Sequence, residues 1–182
     1  MKTYFFKSAR LGFRNWIESD TESFVAMNED ERVMAFFPNL LSRSETLLMI
    51  DRFRNNISQN GFGFFAVELL ENNAFIGFIG LNRPQFESYF TPCIEIGWRL
   101  QYDFWHQGLA TEGAKACLEF AFNTLNINKI YSFTPLQNKP SEKVMQRIGM
   151  TKEGEFDHPM ISPDNSLCVA HLYSIKNPRI LC

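Results

Sequence analysis

Apolar residues recur along this chain with two periods, and the switches between them mark its elements. Between Ser8 and Trp16, Leu11 and Phe13 alternate with polar neighbours, which predicts a first strand. Asp20 and Thr21 are then placed to cap a short helix carrying Phe24, Val25 and Met27. From Ser44 to Ile57, Leu47, Leu48, Ile50, Phe53 and Ile57 fall at helical spacing, with Ser44 as the expected N-cap and Asn60-Gly61 as the stop. Two β-rich runs, Phe62 to Leu70 and Phe75 to Leu81, flank Glu71-Asn72-Asn73, which is hairpin chemistry. A strand follows from Pro92 to Leu100. In it Ile94, Ile96, Trp98 and Leu100 share one face, and Glu95, Gly97 and Arg99 share the other, so Glu95 lies opposite the apolar row.

From Leu109 the period is helical. Leu109, Ala110, Gly113, Ala114, Cys117, Leu118, Ala121, Phe122 and Leu125 form the dry side, and Thr111, Glu112, Lys115, Glu119 and Asn123 the wet one. A strand at Lys129 to Phe133 leads to a helix from Lys139 to Ile148, capped by Asn138, with Pro140 in its first turn and Gly149 after its end. Two last strands, Thr151 to Phe156 and Leu167 to Ile175, flank a loop marked by Pro159, Pro163 and Asp164. The order predicts a mixed α/β (α+β) fold. No repeat, low-complexity tract or Pro/Gly/Ser linker interrupts it, so residues 1–182 are expected to form one domain.

Composition narrows the chemistry. A chain of 182 residues that is 45% hydrophobic can bury a core, and 18 Lys and Arg against 20 Asp and Glu provide no basic surface for nucleic acid. Cys93, Cys117, Cys168 and Cys182 form neither a CxxC nor a Cys/His pair at metal-ligand spacing, so no metal is expected; Cys117 reads as a small buried hydrophobe. Met1 to Arg10 lacks the apolar run of a secretion signal, and no stretch of about 20 apolar residues exists to cross a bilayer. The expected setting is the cytoplasm, without a membrane partner.

The segment Trp105-His106-Gln107-Gly108-Leu109-Ala110-Thr111-Glu112-Gly113 carries the chemistry. A glycine turn that opens a helix aims several N–H groups, and the positive end of the helix dipole, at one spot, which is an anion site. Small residues at Gly108 and Ala110 let a diphosphate approach the main chain. The segment matches neither the dinucleotide fingerprint nor the nucleotide-triphosphate loop.

Taken with Ile94-Glu95-Ile96-Gly97-Trp98-Arg99-Leu100, this run resembles the acetyl-CoA signature of the GNAT N-acetyltransferase superfamily, in its RimJ/RimL-type form. Trp105 to Ala110 maps on the [QR]-x-x-G-x-[GA] loop, with Trp105 in place of the usual Gln or Arg. Asn138-Lys139-Pro140-Ser141 with Val144, Ile148, Gly149 and Met150 resembles the N-x-x-S…[LI]-G-[FM] segment. Ser8 to Arg14 is similar to the opening T-x-R-L-x-L-R strand, Val33-Met34 to the helix-ending "VM" pair, and His171 to Ile175 to the last core strand.

The resemblance implies a mostly antiparallel mixed sheet of six to seven strands flanked by four helices, splayed between the fourth and fifth strands, Pro92 to Leu100 and Lys129 to Phe133. Acetyl-CoA would enter that gap as acetyl donor. Main-chain groups of Trp98 and Leu100 would pair with pantetheine, those of Gln107, Gly108, Ala110 and Thr111 would hold the pyrophosphate, and Asn138 would bond the pantetheine side. A primary amine would attack the thioester directly, with Glu95 as base. The tyrosine that usually reprotonates the thiolate aligns with Met145; Ser141 is the next candidate acid, followed by Tyr173, while His106 reads as a loop residue. The acceptor would be a protein N-terminus, ribosomal by analogy, or a small-molecule amine such as a polyamine, aminoglycoside or amino acid, chosen by residues 36–44 and 156–166. Monomer and homodimer both fit. The competing readings are a non-catalytic acyl-CoA-binding sensor and a Phe-rich interaction module.

Overall fold

A computed structural model describes residues 3–180 of the chain. Met1 and Cys182, used in the N-terminal and cysteine readings, lie outside them. The described residues form one eight-stranded sheet with spatial order β1-β2-β3-β4-β5-β6-β8-β7. Its strands are β1 (Phe6–Lys7), β2 (Leu11–Arg14), β3 (Phe64–Leu69), β4 (Phe75–Asn82), β5 (Glu95–Leu100), β6 (Lys129–Pro135), β7 (Thr151–Asp157) and β8 (Val169–Lys176). The α-helices are α1 (Thr21–Glu29), α2 (Glu31–Met34), α3 (Arg43–Asn60), α4 (Leu109–Asn123) and α5 (Lys139–Arg147). This is a mixed α/β architecture of the kind the resemblance implies, with one strand and one helix more than the pattern predicts.

The extra strand comes from dividing the N-terminal region. Asn15 accepts the Trp16 N–H on its own side chain at 2.9 Å, which ends β2 at Arg14, and the two-residue β1 pairs back on it, Phe6 opposite Phe13. The extra helix is α2, a single turn begun by Asp30, whose carboxylate accepts from the Arg32 N–H at 2.9 Å; it ends on the buried Val33-Met34 pair. Two caps also differ from expectation. Ser42, not Ser44, caps α3, because Glu45 stands three residues after Ser42 and completes a reciprocal box. Asp20 precedes α1 but gives it no side-chain bond, since its carboxylate is taken by Arg14 at 2.7 and 2.8 Å. The strand expected from Pro92 starts at Glu95, and the one expected from Leu167 starts at Val169 because Asn165 ties Leu167 and Cys168 into a turn.

One main core joins α1, α3 and α4 to the sheet. Phe24, Phe53, Phe64 and Phe78 meet below α1 and α3 with centroid separations of 4.9 to 6.5 Å. Such ring pairs each add about 0.5–1.5 kcal/mol beyond the area they bury. Helix α4 lies close on the sheet: a Cβ on Gly113 would collide with Ile79 and press on Leu11. A second, smaller cluster of Phe90, Phe156, Ala170 and Leu172, with Phe86, Tyr131 and Phe133 against it, covers the β6-β8-β7 part of the sheet. Residues 83–94 contribute Phe86 and Phe90 to it, a contribution the periodicity does not reveal.

Candidate active site

The first turn of α4 is left open by its own chain. Gly108 precedes it at φ +76°, a left-handed conformation that would strain any larger residue, and the Arg10 guanidinium lies 3.8 Å from where a Cβ would stand. Among the described residues no side chain caps the helix. The Glu112 N–H closes on the Gly108 carbonyl at 3.0 Å, while among the described residues the N–H groups of Gln107, Gly108, Leu109, Ala110 and Thr111 meet no acceptor. His106 stands exposed at φ +60°, and the Gln107 side chain folds back to donate to the Asp103 carbonyl at 3.0 Å. The loop is thus shaped but unplugged, the arrangement that suits a diphosphate.

A network that the pattern does not reveal fixes this turn. Glu112 accepts from Ser8 Oγ at 2.7 Å, the Arg10 N–H at 2.8 Å and Arg10 Nε at 2.6 Å, and Arg10 Nη2 donates to the Gln107 carbonyl at 3.1 Å. Desolvation works to raise the Glu112 carboxyl, but the bonds from Ser8 and Arg10 hold it below the usual range. The strand-opening segment is thereby tied to α4, and a cation is brought to the rim of the turn.

Between β5 and β6 the sheet nearly fails to close. They are parallel and paired at a single register position, Glu95 opposite Tyr131, with a Tyr131 N–H to Ile94 carbonyl bond of 2.9 Å, and Ser132 Oγ reaches the Ile96 carbonyl at 2.9 Å. Among the described residues no ladder continues beyond, whereas β6 and β8 pair from Lys129 to Pro135. Gln101 donates its N–H back toward β4, to Ile76, so strand alternation turns the main chain of Trp98 and Leu100 toward the gap. One expectation changes here: the Leu100 carbonyl already accepts Trp105 Nε1 at 2.9 Å, which leaves its N–H and both groups of Trp98 for a ligand.

At the start of α5, Asn138 caps the helix by accepting the Ser141 N–H at 3.2 Å, which commits its carbonyl oxygen and leaves its amide NH₂ to donate. Ser141 is partly exposed and its hydroxyl is unengaged among the described residues. Met145 is 1% exposed and faces the core, so no acid stands there. Tyr173 is also buried; its hydroxyl donates to Glu142 at 3.0 Å and accepts from Gln146 at 3.3 Å, tying β8 to α5.

Glu95 lies on the opposite face of β5. Its carboxylate accepts from Asn82 at 2.7 Å; the two residues are register partners across β4 and β5. Burial pushes the carboxyl up to about 7, and the Asn82 bond only partly offsets it. The face that reads as polar in the sequence is bounded by rings: a Cβ on Gly97 would press on Phe64, and Arg99 lies over Phe37 and Phe78. The polar letters there lie against aromatic rings rather than bulk water. Nearby Cys93 has its thiol pushed up to about 11, chiefly by burial, so it does not ionise near neutrality. His158 is packed on Phe86 at 4.8 Å, and desolvation holds its imidazole below the usual range. Asp103, Asp157, Asp164 and Glu87 are exposed. Asn82 and Arg99 carry no sequence signature, and only strand register reveals the first.

Among the described residues no group of three or more His, Cys, Asp or Glu is placed to hold a metal ion, and no helix is long and apolar enough to cross a membrane. The family described as "Acetyltransferase (GNAT) domain" matches residues 10–151. The protein named uncharacterized N-acetyltransferase YnaD, of Bacillus subtilis (strain 168), is 28% identical over 81% of this chain and 82% of its own length. The acetyltransferase (GNAT family) structure from Bacillus anthracis superimposes with a TM-score of 0.79 at 25% identity, covering 94% of this chain and 98% of that one. Mycobacterium smegmatis RimJ in complex with CoA-disulfide has the same fold, with a TM-score of 0.75 at 15% identity over 93% of this chain and 83% of that one.

Proposed function

This chain belongs to the acetyltransferase (GNAT) domain family, and from that premise we propose that it is an acetyl-CoA-dependent N-acetyltransferase acting on a primary amine. The observation that carries the reading is the uncapped first turn of α4 beside the gap between β5 and β6. The amides of Gln107, Gly108, Ala110 and Thr111 would hold the pyrophosphate, and the free main-chain groups of Trp98 and Leu100, with the Asn138 amide, would pair with pantetheine as an added strand does. The occurrence of RimJ among the structural relatives supports the RimJ/RimL-type assignment.

Transfer needs the two reactants held together and the amine neutral. The amine nitrogen attacks the thioester carbon, the C–N bond forms, and the Trp98 N–H meets the developing oxyanion. The C–S bond then breaks, the ammonium proton passes to Glu95, directly or through water, and the thiolate takes a proton from Ser141 or solvent. A carboxyl held near 7 accepts that proton at neutral pH. Met145 in the core supports a second reading, a sensor that binds acyl-CoA without turnover, because the usual acid position is filled by a hydrocarbon side chain.

Acetyl-CoA is expected to raise the melting temperature by mass action on the folded state. An amine and peptide panel read by free thiol then separates the readings: thiol release with an amine supports transfer, binding without release supports the sensor, and no shift at millimolar acetyl-CoA contradicts both.

A further inference from the structure

Arg99 is a buried cation for which the described residues supply no acid. It is 8% exposed, and among the described residues no carboxylate pairs with it. Its Nη1 donates to Asn28 Oδ1 at 2.6 Å, and Asn28 is held in that orientation by its own donation to Thr46 Oγ1 at 3.1 Å. Among the described residues its buried Nε has no acceptor, and its only hydrogen bond is the one from Nη1. The rings of Phe37 and Phe78 lie 3.9 and 5.4 Å from the guanidinium carbon. Burial with no offsetting acid pushes this guanidinium down to about 9.

Geometry identifies what is absent. With Nη1 committed to Asn28, the Nε and Nη2 edge remains, two parallel donors at the spacing of a carboxylate's oxygens. Arg14 shows the same group satisfied: its Nε donates to Glu68 at 2.5 Å and its other two nitrogens hold Asp20 at 2.7 and 2.8 Å. Burying a guanidinium with one neutral partner costs more than that partner returns, and an anion arriving with the substrate removes the deficit. Arg99 shares the face of β5 with Glu95 and is separated from it by Gly97, so no side chain stands between them on the strand. Their Cα atoms are about 13 Å apart at the rise of an extended strand. Phe37, over the guanidinium, is 37% exposed and belongs to the segment between α2 and α3.

We propose that the amine acceptor also carries a carboxylate, which docks on the Nε and Nη2 edge of Arg99 while the amine meets Glu95. The substrate class is therefore an amino acid or an acid-bearing peptide end, and polyamines, which would bring cations to a cation, are rejected. This rests on the amine-acetylation reading above.

The test pairs acids with their carboxamides: glycine through 6-aminohexanoate and phenylalanine, plus a dipeptide with aspartate or asparagine second to separate a peptide source from a free amino acid. Transfer is followed by free thiol. The wild-type protein is expected to prefer the best acid over its amide by about 100-fold in kcat/KM, because a mismatched amide leaves the guanidinium unpaired. Arg99→Met is expected to reduce the preference to about 3-fold or less and Arg99→Lys to restore part of it, since a lysine keeps the charge and loses the fork. The KM for acetyl-CoA should not move. Equal use of acid and amide by the wild type overturns the proposal without any variant, as does a preference that survives in Arg99→Met. If no amine is acetylated, transfer itself fails, and calorimetric titration of the same acids into the CoA-saturated wild type still decides the subsite: acid-selective binding supports it, and no binding overturns it.

Discussion

At the start of α3 the chain satisfies its own helix, and at the start of α4 it does not. Ser42 accepts the Glu45 N–H at 3.3 Å while Glu45 accepts the Ser42 N–H at 2.8 Å, and the Ser42 carbonyl takes the Thr46 N–H at 3.0 Å. Before α4 the corresponding residue is Gly108, which has no side chain to offer, and the amides through Thr111 point outward without acceptors among the described residues. One N-terminus is therefore closed and structural, and the other is held rigid from outside, by Glu112, Ser8 and Arg10, so that a ligand can complete it. The buried arginines repeat the contrast: Arg14 is enclosed by Asp20 and Glu68, and among the described residues Arg99 donates a hydrogen bond to the amide of Asn28 and pairs with no carboxylate. Groups that the fold leaves incomplete, not groups that are merely polar, are the ones on which the proposed function rests.

Substitutions can break this division. The largest effect is expected at the closed arginine: Arg14→Met takes the cation away from the buried carboxylates of Asp20 and Glu68 and should cost about 3–5 kcal/mol in chemical denaturation, while Arg99→Met, which removes a cation from no carboxylate among the described residues, should cost much less. Next is Glu95→Gln, expected to lower kcat by about 10²–10³-fold with little change in acetyl-CoA affinity, and to remove a kcat/KM limb that rises through pH 7 in the wild type. The same carboxyl has a stability signature. Its folded value of about 7 lies above the ordinary 4.5, so its contribution is full below pH 4.5 and is lost as pH rises through 7. The melting temperature of Glu95→Gln should therefore exceed that of the wild type at pH 8 and match it near pH 4.5. A smaller loss is expected at the open helix: Gly108→Val should weaken acetyl-CoA binding by about 100-fold, near 2.7 kcal/mol by calorimetry. Ser42→Ala sharpens the comparison from the other side, costing about 1 kcal/mol of stability and leaving acetyl-CoA affinity unchanged.

How much of this is legible in the sequence follows from range. The helical period of Leu109 to Phe122, the Asn138 cap and the glycine at the head of α4 are local, and the structure shows each of them where the letters place it. Ser42 and Glu45 are equally local, yet the apolar period draws the start of α3 toward Ser44, two residues late. What cannot be read depends on pairing across the sheet. Asn82 reaches Glu95 only through antiparallel register, the second aromatic cluster forms only when residues 83–94 fold over β6 and β8, and Ser8 and Glu112 meet across 104 positions. The Leu100 carbonyl, expected to pair with pantetheine, is claimed by a tryptophan five residues on. Alternation separates the faces of β5 correctly but cannot tell a polar face in water from one beneath rings, which is why Arg99 passes as an ordinary strand residue.

The central claim is that the open amides of α4 are a diphosphate site, and amide NMR during an acetyl-CoA titration tests it most directly. At saturation the largest shifts are expected on Gln107, Gly108, Ala110 and Thr111, with Trp98 and Leu100 moving beside them, while Arg43, Ser44 and Glu45 at the capped start of α3 stay in place. Amides at 107–111 that remain unmoved when acetyl-CoA is bound would contradict it.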